Sequence, residues 1–219
     1  MNQHKHGPEP AGSRRGWFIT FEGVEGCGKS TQIERAHDFL KNLGLAVDLT
    51  REPGGTPLAE SIRGFLLDPA HTGLDAMAEL LLYEAARAQH VAERIRPALK
   101  AGVTVLCDRF SDSTTAYQGA GRGLDMARLL QLHAIATGGL EPDLTLVLDV
   151  PVELGMRRTE ARGGRDRIEQ EPDDFHHRVR QAFLDLAKAN PERMRVVDGT
   201  LDEEAVAARI RVLLQELLH

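Results

Sequence analysis

The stretch Gly23-Val24-Glu25-Gly26-Cys27-Gly28-Lys29-Ser30-Thr31 constrains this chain more than any other. Before it stands an apolar run, Trp17-Phe18-Ile19-Thr20-Phe21, which reads as a buried strand. After it, Gln32 to Leu43 carries Ile33, Ala36, Phe39, Leu40 and Leu43 at helical spacing. A strand, Gly-x-x-x-x-Gly-Lys-Ser and a helix, in that order, form a phosphate-binding loop. The chemistry explains the residue types. Glycines let backbone N–H groups wrap an anion without Cβ clashes, and the helix N-terminus adds partial positive charge. Lys29 supplies a point charge for the β- and γ-phosphates, and the Ser30 hydroxyl is placed to ligate Mg²⁺. The loop from Gly23 to Thr31 is therefore expected to bind a nucleoside triphosphate.

The rest of the chain bounds what can be done with the γ-phosphate. Its 219 residues, 42% of them hydrophobic, suit one α/β domain with a sizeable core. A net charge of −6 argues against a general nucleic-acid binder, and no apolar run is long enough to span a membrane. Residues 1–15 lack the apolar core of a secretory signal and read as a disordered tail, leaving 16–219 as the folded domain. Cys27 and Cys107 are the two cysteines, each expected at the C-terminal end of a strand and unpaired, as in a reducing compartment.

Downstream of the loop, strands and helices alternate. Leu45–Thr50 reads as a strand ending in Arg51-Glu52-Pro53-Gly54-Gly55-Thr56, a turn on the side where open parallel sheets place ligands. Thr56–Leu67 reads as a short helix and Leu74–Lys100 as a long one, with Met77, Leu81, Ala85, Ala88, Val91, Ile95 and Leu99 in one apolar stripe. Tyr83 and Arg87 are four apart and share a flank of that helix. They either anchor a planar ligand or form a surface pair. A strand over Val103–Cys107 runs into Asp108-Arg109-Phe110, followed by a polar, glycine-rich segment over 111–123 that holds Thr114, Tyr117 and Gln118. A helix to Thr137, a strand Leu144–Val150 with Asp149 at its end, helices over 153–161 and 172–189, a strand Met194–Val197 and a closing helix from Asp202 complete the pattern. Alternation of this kind gives a five-stranded parallel sheet with helices on both faces, the P-loop NTPase architecture.

Arg157, Arg158, Arg162, Arg165 and Arg167 cluster around Gly163-Gly164, which reads as a short lid over about residues 157–171 that closes on anions. A lid that excludes water protects a γ-phosphate from hydrolysis and favours transfer. No Asn-Lys-x-Asp guanine-reading motif is present, and Asp149 is followed by Val150-Pro151 rather than by a Glu placed to activate water. No His or carboxylate stands out as a general base, which a hydroxyl acceptor would usually want. A phosphate acceptor is already ionised and needs cations instead, for which Arg51, Arg87, Arg109 and the lid arginines are available. A nucleoside monophosphate is the natural acceptor. Asp108 or Asp149 would join Ser30 at the metal. Another nucleoside monophosphate or deoxynucleoside kinase, or a P-loop NTPase that transfers to no acceptor, remains open on these residues alone.

The motifs Phe21-Glu22-Gly23-Val24-Glu25-Gly26-Cys27-Gly28-Lys29-Ser30, Arg51 to Thr56, Tyr83-Glu84-Ala85-Ala86-Arg87, Asp108-Arg109-Phe110, Ala116-Tyr117-Gln118-Gly119 and Arg162 to Glu169 together resemble the thymidylate kinase family. The likeness runs in order from about Trp17 to the C-terminus. It implies transfer from Mg-ATP to dTMP, giving dTDP on the way to dTTP for DNA, in a cytoplasmic homodimer. By position it implies Glu25 near the sugar 3′-hydroxyl and the metal, and Tyr83 stacked on thymine. It puts Arg87 at the thymine O4, Arg109 on the dTMP phosphate and Thr114 at the base N3–H. Tyr117, followed by Gln118, would fill the space of a ribose 2′-hydroxyl. Some members carry a catalytic arginine in the P-loop, where this chain has Gly26. Arg162 and Arg165 therefore place it with the bacterial, lid-arginine type, with Lys29 and Arg109 completing the catalytic set. Phe110 stands where Tyr or His is common.

Overall fold

The structure is a computed structural model and describes residues 15–161, 163 and 166–219. The tail expected over residues 1–15 lies outside it except for Arg15, and so do Arg162, Gly164 and Arg165 of the expected lid. Arg15 forms a bidentate pair with Asp143 at 2.9 and 2.5 Å, which pins the entry to the first strand.

Five strands form one parallel sheet: β1 (Phe18–Glu22), β2 (Val47–Arg51), β3 (Thr104–Asp108), β4 (Leu144–Asp149) and β5 (Met194–Asp198), in the order β2-β3-β1-β4-β5. The alternation read from the sequence gives this fold class directly, and the strand limits move by a residue or two. β1 is central and every one of its residues is buried, as expected for a strand covered on both faces. One face packs Ile19, Phe21, Leu106, Leu146 and Leu148 with residues of α1 (Lys29–Asn42) and two later helices. The other face packs Phe18, Val105, Cys107 and Phe110 with Val91, Ile95 and Leu99. Cys27 and Cys107 are free and buried.

The remaining helices are α2 (Pro57–Leu67), α3 (Ala76–His90), α4 (Arg96–Lys100), α5 (Ser111–Thr114), α6 (Met126–Thr137), α7 (Val152–Glu160), α8 (Asp173–Ala189) and α9 (Glu203–Leu218). Thr56, Asp75, Asp125 and Asp202 cap α2, α3, α6 and α9 with side-chain oxygens on backbone N–H groups. α3 and α4 are joined without a break by a π-helical stretch, Val91–Ile95, as the long helical pattern requires. Pro97 cannot donate to the carbonyl four residues back, and the widened turn stands just before it.

One reading needs correction. In the first half of the long helix, Leu81 and Ala85 are exposed, while Leu80, Glu84, Ala86 and Arg87 are buried. Polarity misled there because the buried charges satisfy one another. The polar, glycine-rich segment 111–123, given no element from the sequence, is helical through α5 and a π-helical stretch, Thr115–Gly121. Its glycines are packing residues: a Cβ on Gly121 would meet Phe175 Cε2 at 2.6 Å, and one on Gly119 would meet Met126 Cε at 2.9 Å.

Candidate active site

The C-terminal ends of β1, β2 and β3 open onto a cleft of about 580 Å³, lined by Glu25 to Gln32 at one end and by Arg51, Tyr83, Arg87, Arg109, Thr114, Tyr117 and Gln118 at the other. A crevice of this size outside the carboxyl ends of parallel strands is where such sheets bind ligands.

The phosphate-binding loop is shaped by positive backbone φ at Gly23 (135°), Gly26 (66°) and Gly28 (98°). Gly26 is also fixed by packing, since a Cβ there would lie 2.0 Å from the Gly155 carbonyl oxygen. An arginine could not occupy this position without moving α7. The Lys29 ammonium is buried inside the loop and donates to the carbonyls of Gly23 and Val24, each at 3.1 Å, with Cys27 Sγ at 3.4 Å. Ser30 and Thr31 open α1 and face the cleft.

Arg109 is the hub between the two ends. At φ 70° it is the one non-glycine with positive φ among the described residues. Its Nη1 donates to the Gly23 carbonyl at 3.0 Å and to Ser113 Oγ at 3.1 Å, and its Nη2 donates to Glu25 Oε1 at 3.1 Å. Its guanidinium carbon lies 5.0 Å from the centre of the Tyr117 ring. The Tyr117 hydroxyl donates to the same Glu25 oxygen at 2.5 Å. Burial alone would raise the Glu25 carboxyl, but His176, Arg109, Lys29 and Tyr117 together hold it at about 2. Glu25 is therefore an ionised anchor and a poor base. Behind Arg109, the buried Glu22 accepts from the Phe110 N–H at 2.8 Å and from Ser113 Oγ at 2.5 Å. Burial, reinforced by Asp112, pushes Glu22 up to about 7.

Arg87 is fully buried, so it and Tyr83 are not a surface pair. Its Nε donates to Glu52 Oε2 at 2.8 Å, Nη1 to Glu84 Oε1 at 2.7 Å, and Nη2 to the Phe110 carbonyl at 3.1 Å and Thr114 Oγ1 at 2.9 Å. Glu52 also contacts His90 at 3.0 Å, and Glu84 contacts His133 at 2.5 Å. Four of the five guanidinium N–H donors are thus engaged, which orients the planar head rigidly at the cleft wall. Tyr83 lines the same wall, and burial raises its phenol well above the ordinary value. Gln118 donates to Glu79 at 2.8 Å, and the exposed Arg51 pairs with Glu60 at 2.9 Å. The Glu52–Pro53 peptide between these elements is cis.

Two expected site residues stand elsewhere. Asp149 faces Arg180 in a bidentate pair at 2.7 and 2.8 Å and does not line the cleft. It was read as a metal ligand from its place at a strand end, but α8 supplies a cation that takes both oxygens. Arg167, counted among the lid cations, is buried, donating to the Leu66 carbonyl at 2.7 Å and pairing with Glu79 at 2.6 Å. Arg162 and Arg165 lie outside the described residues. Arg158 lines the cleft and reaches the Gly26 and Gly199 carbonyls at 3.4 Å.

Sequence reasoning missed Glu22, Glu84, Ser113 and His176, and also Arg63, which lines the cleft and donates to the Pro53 carbonyl at 2.9 Å. Glu84 carried a signal, since it stands three residues before Arg87 on one helix face. The others carried none, because tertiary packing alone brings them in. The described residues hold no cluster of three or more His, Cys, Asp or Glu side chains that could bind a metal. Asp108 Oδ1, at the cleft, is buried without a hydrogen-bond partner among the described residues, and the Ser30 hydroxyl also faces the cleft.

A glycine loop and lysine at a sheet switch point, facing a second wall of fixed arginines, define a P-loop nucleotide-binding enzyme built for two anionic ligands. Comparison with known proteins narrows this. The family model described as thymidylate kinase matches residues 21–210. The thymidylate kinase of Pseudomonas syringae pv. tomato is 55% identical, over 93% of this chain and 97% of that one. That of Deinococcus radiodurans is 52% identical, over 94% and 99% respectively. The crystal structure of thymidylate kinase from Ehrlichia chaffeensis superposes with a TM-score of 0.75 at 37% identity, covering 92% of this chain and 99% of that one. The chain belongs to the thymidylate kinase family. It is a kinase that takes its phosphoryl group from a nucleotide donor.

Proposed function

We propose that the cleft passes the γ-phosphoryl of ATP, accompanied by Mg²⁺, to the 5′-phosphate of dTMP. Phosphorylation of dTMP is the activity of the family and of this chain. The observation that supports the detailed reading is the bridging of the two cleft ends by Arg109, which touches the phosphate loop at Gly23 and the acceptor wall at Ser113. A cation between two anionic substrates offsets their repulsion and holds the attacking oxygen in line. No base is needed, which agrees with Glu25 being held at about 2.

In this reading the backbone of Gly23 to Thr31 and Lys29 hold the ATP phosphates. Ser30 and Asp108 would hold Mg²⁺, with substrate phosphates and water completing its shell, and it would neutralise charge on the β- and γ-phosphates. Glu25 faces the acceptor sugar, and Tyr83 stacks on the base. Arg87 and Thr114 read the base edge, and Tyr117 and Gln118 close the sugar pocket. Arg51 adds positive charge at the acceptor end, while Arg162 and Arg165 close over the transferring group.

We place the enzyme in the cytoplasm as a homodimer. No helix among the described residues is long and apolar enough to cross a membrane. α2 packs on α3 and α3 on α6, and these helices expose Leu58, Phe65, Leu81, Leu130 and Ile135. Exposed apolar side chains on helices packed together suit a second copy of the chain.

The test is ADP release with Mg-ATP and no acceptor, dTMP, dUMP, UMP or dCMP. Turnover is expected with dTMP, with little from UMP or dCMP. Turnover without acceptor, or preference for a ribonucleotide, would overturn the assignment of the acceptor wall.

A further inference from the structure

His176 on α8 has 0% exposure, and neither ring nitrogen has a hydrogen-bond partner among the described residues. Burying an imidazole in this way forfeits its hydration without replacement. Its Nδ1 lies 3.5 Å from Glu25 Oε2, which likewise has no hydrogen-bond partner. The other Glu25 oxygen is taken twice, by Tyr117 and by Arg109. The gap is slightly longer than a good N–H···O bond, and a small rotation of either side chain closes it. The imidazole has little freedom to turn elsewhere. The Phe175 ring stands edge-on to it, with centroids 5.4 Å apart, and α8 packs along the π-helical stretch that carries Tyr117.

We propose that His176 is a positioning residue for phosphoryl transfer: its Nδ1–H holds Glu25 Oε2, so that Glu25 Oε1 stays fixed on Arg109 and Tyr117 at the acceptor end of the cleft. The tautomer with the proton on Nδ1 fits, because it leaves only an acceptor nitrogen, Nε2, without a partner. A carboxylate held at both oxygens cannot follow Arg109 when that arginine engages an acceptor phosphate. His176 is also the leading favourable influence holding the Glu25 carboxyl low. The proposal rests on the reading of Glu25 as a group of the acceptor site.

The test compares His176→Phe, His176→Asn, Glu25→Gln and the His176→Phe/Glu25→Gln double variant. dTMP affinity is measured by calorimetry without triphosphate or metal, alongside KM for each substrate, kcat and thermal unfolding. His176→Phe is expected to weaken dTMP binding about tenfold, in line with loss of a charge-assisted hydrogen bond, and to leave the KM for ATP unchanged. His176→Asn, which returns an N–H near the Nδ1 position, is expected to recover most of the loss. In the Glu25→Gln background the phenylalanine is expected to add little. Wild-type dTMP affinity in His176→Phe, equal impairment of Phe and Asn, or an undiminished loss in the double variant would each overturn the proposal. If the phenylalanine variant does not fold, His176→Leu against His176→Asn carries the same comparison. Unaltered dTMP affinity in Glu25→Gln would instead sink the reading of Glu25, so the two failures are separable.

Discussion

Glu22 shows how one side chain ties the cleft to the stability of the whole molecule. It is buried between the Phe110 N–H and Ser113, and its carboxyl is raised from the usual 4.5 to about 7. Between those values the folded chain keeps a proton that the unfolded chain releases. The group's contribution is therefore complete below about 4.5 and drains away as pH rises through about 7. A shift of that size is worth up to about 3 kcal/mol. Glu22→Gln is expected to flatten the stability profile across this window, read by urea unfolding at stepped pH. A profile that keeps the wild-type slope would show that another group carries it. The strand read from the sequence stopped at Phe21, one residue short of Glu22, and nothing local marked Glu22 as the support of Arg109. The loop glycines, Lys29 and Ser30 were legible because phosphate binding by backbone N–H groups demands a fixed local spacing.

At the scale of elements, local signals worked where one helix or strand met its own requirements. Asp202, where the closing helix was read to begin, does cap α9, and the apolar strands needed no tertiary knowledge. Local signals were silent at the segment 111–123, whose glycines oppose a helix by propensity but are required there because α6 and α8 lie too close for larger residues. Gly121→Ala is expected to lose about 1–3 kcal/mol in chemical denaturation despite the better propensity of alanine, since its Cβ would overlap Phe175. A stabilised variant would mean that α8 yields easily. The Arg87 network makes the same point with charge. Helical spacing placed Tyr83 and Arg87 on one flank, but it could not show that Glu52, from the end of β2, and Glu84 would bury that arginine.

For the molecule as a whole, the five-stranded parallel sheet followed from the alternation of strand and helix patterns, because parallel strands require crossovers. The face proposed for a second copy did not follow. Leu81 was read as core and is 49% exposed, while Ile135 is 77% exposed on α6. If the proposed homodimer uses these helices, the parent is expected to sediment as two 24.1 kDa chains and the double variant Leu81→Glu/Ile135→Glu as one. If the variant keeps the parent's mass, the contact between copies lies on another face.

The central position of β1 also bears on how the chain is made. Phe18 pairs with Val105, and Ile19 pairs with Leu144. Of the five strands β1 is made first, and it has no neighbour until β3, about halfway along the 219 residues, has been synthesised. Pairing over such distances in sequence is slow. During that interval Phe18, Ile19 and Phe21 have no sheet to enter, and the nascent chain depends on chaperones or on provisional burial against α1. The strand that carries the nucleotide loop is thus first in synthesis and late in assembly. A terminated or stalled fragment ending before β3 leaves Phe18, Ile19 and Phe21 without the strands that flank them in the sheet.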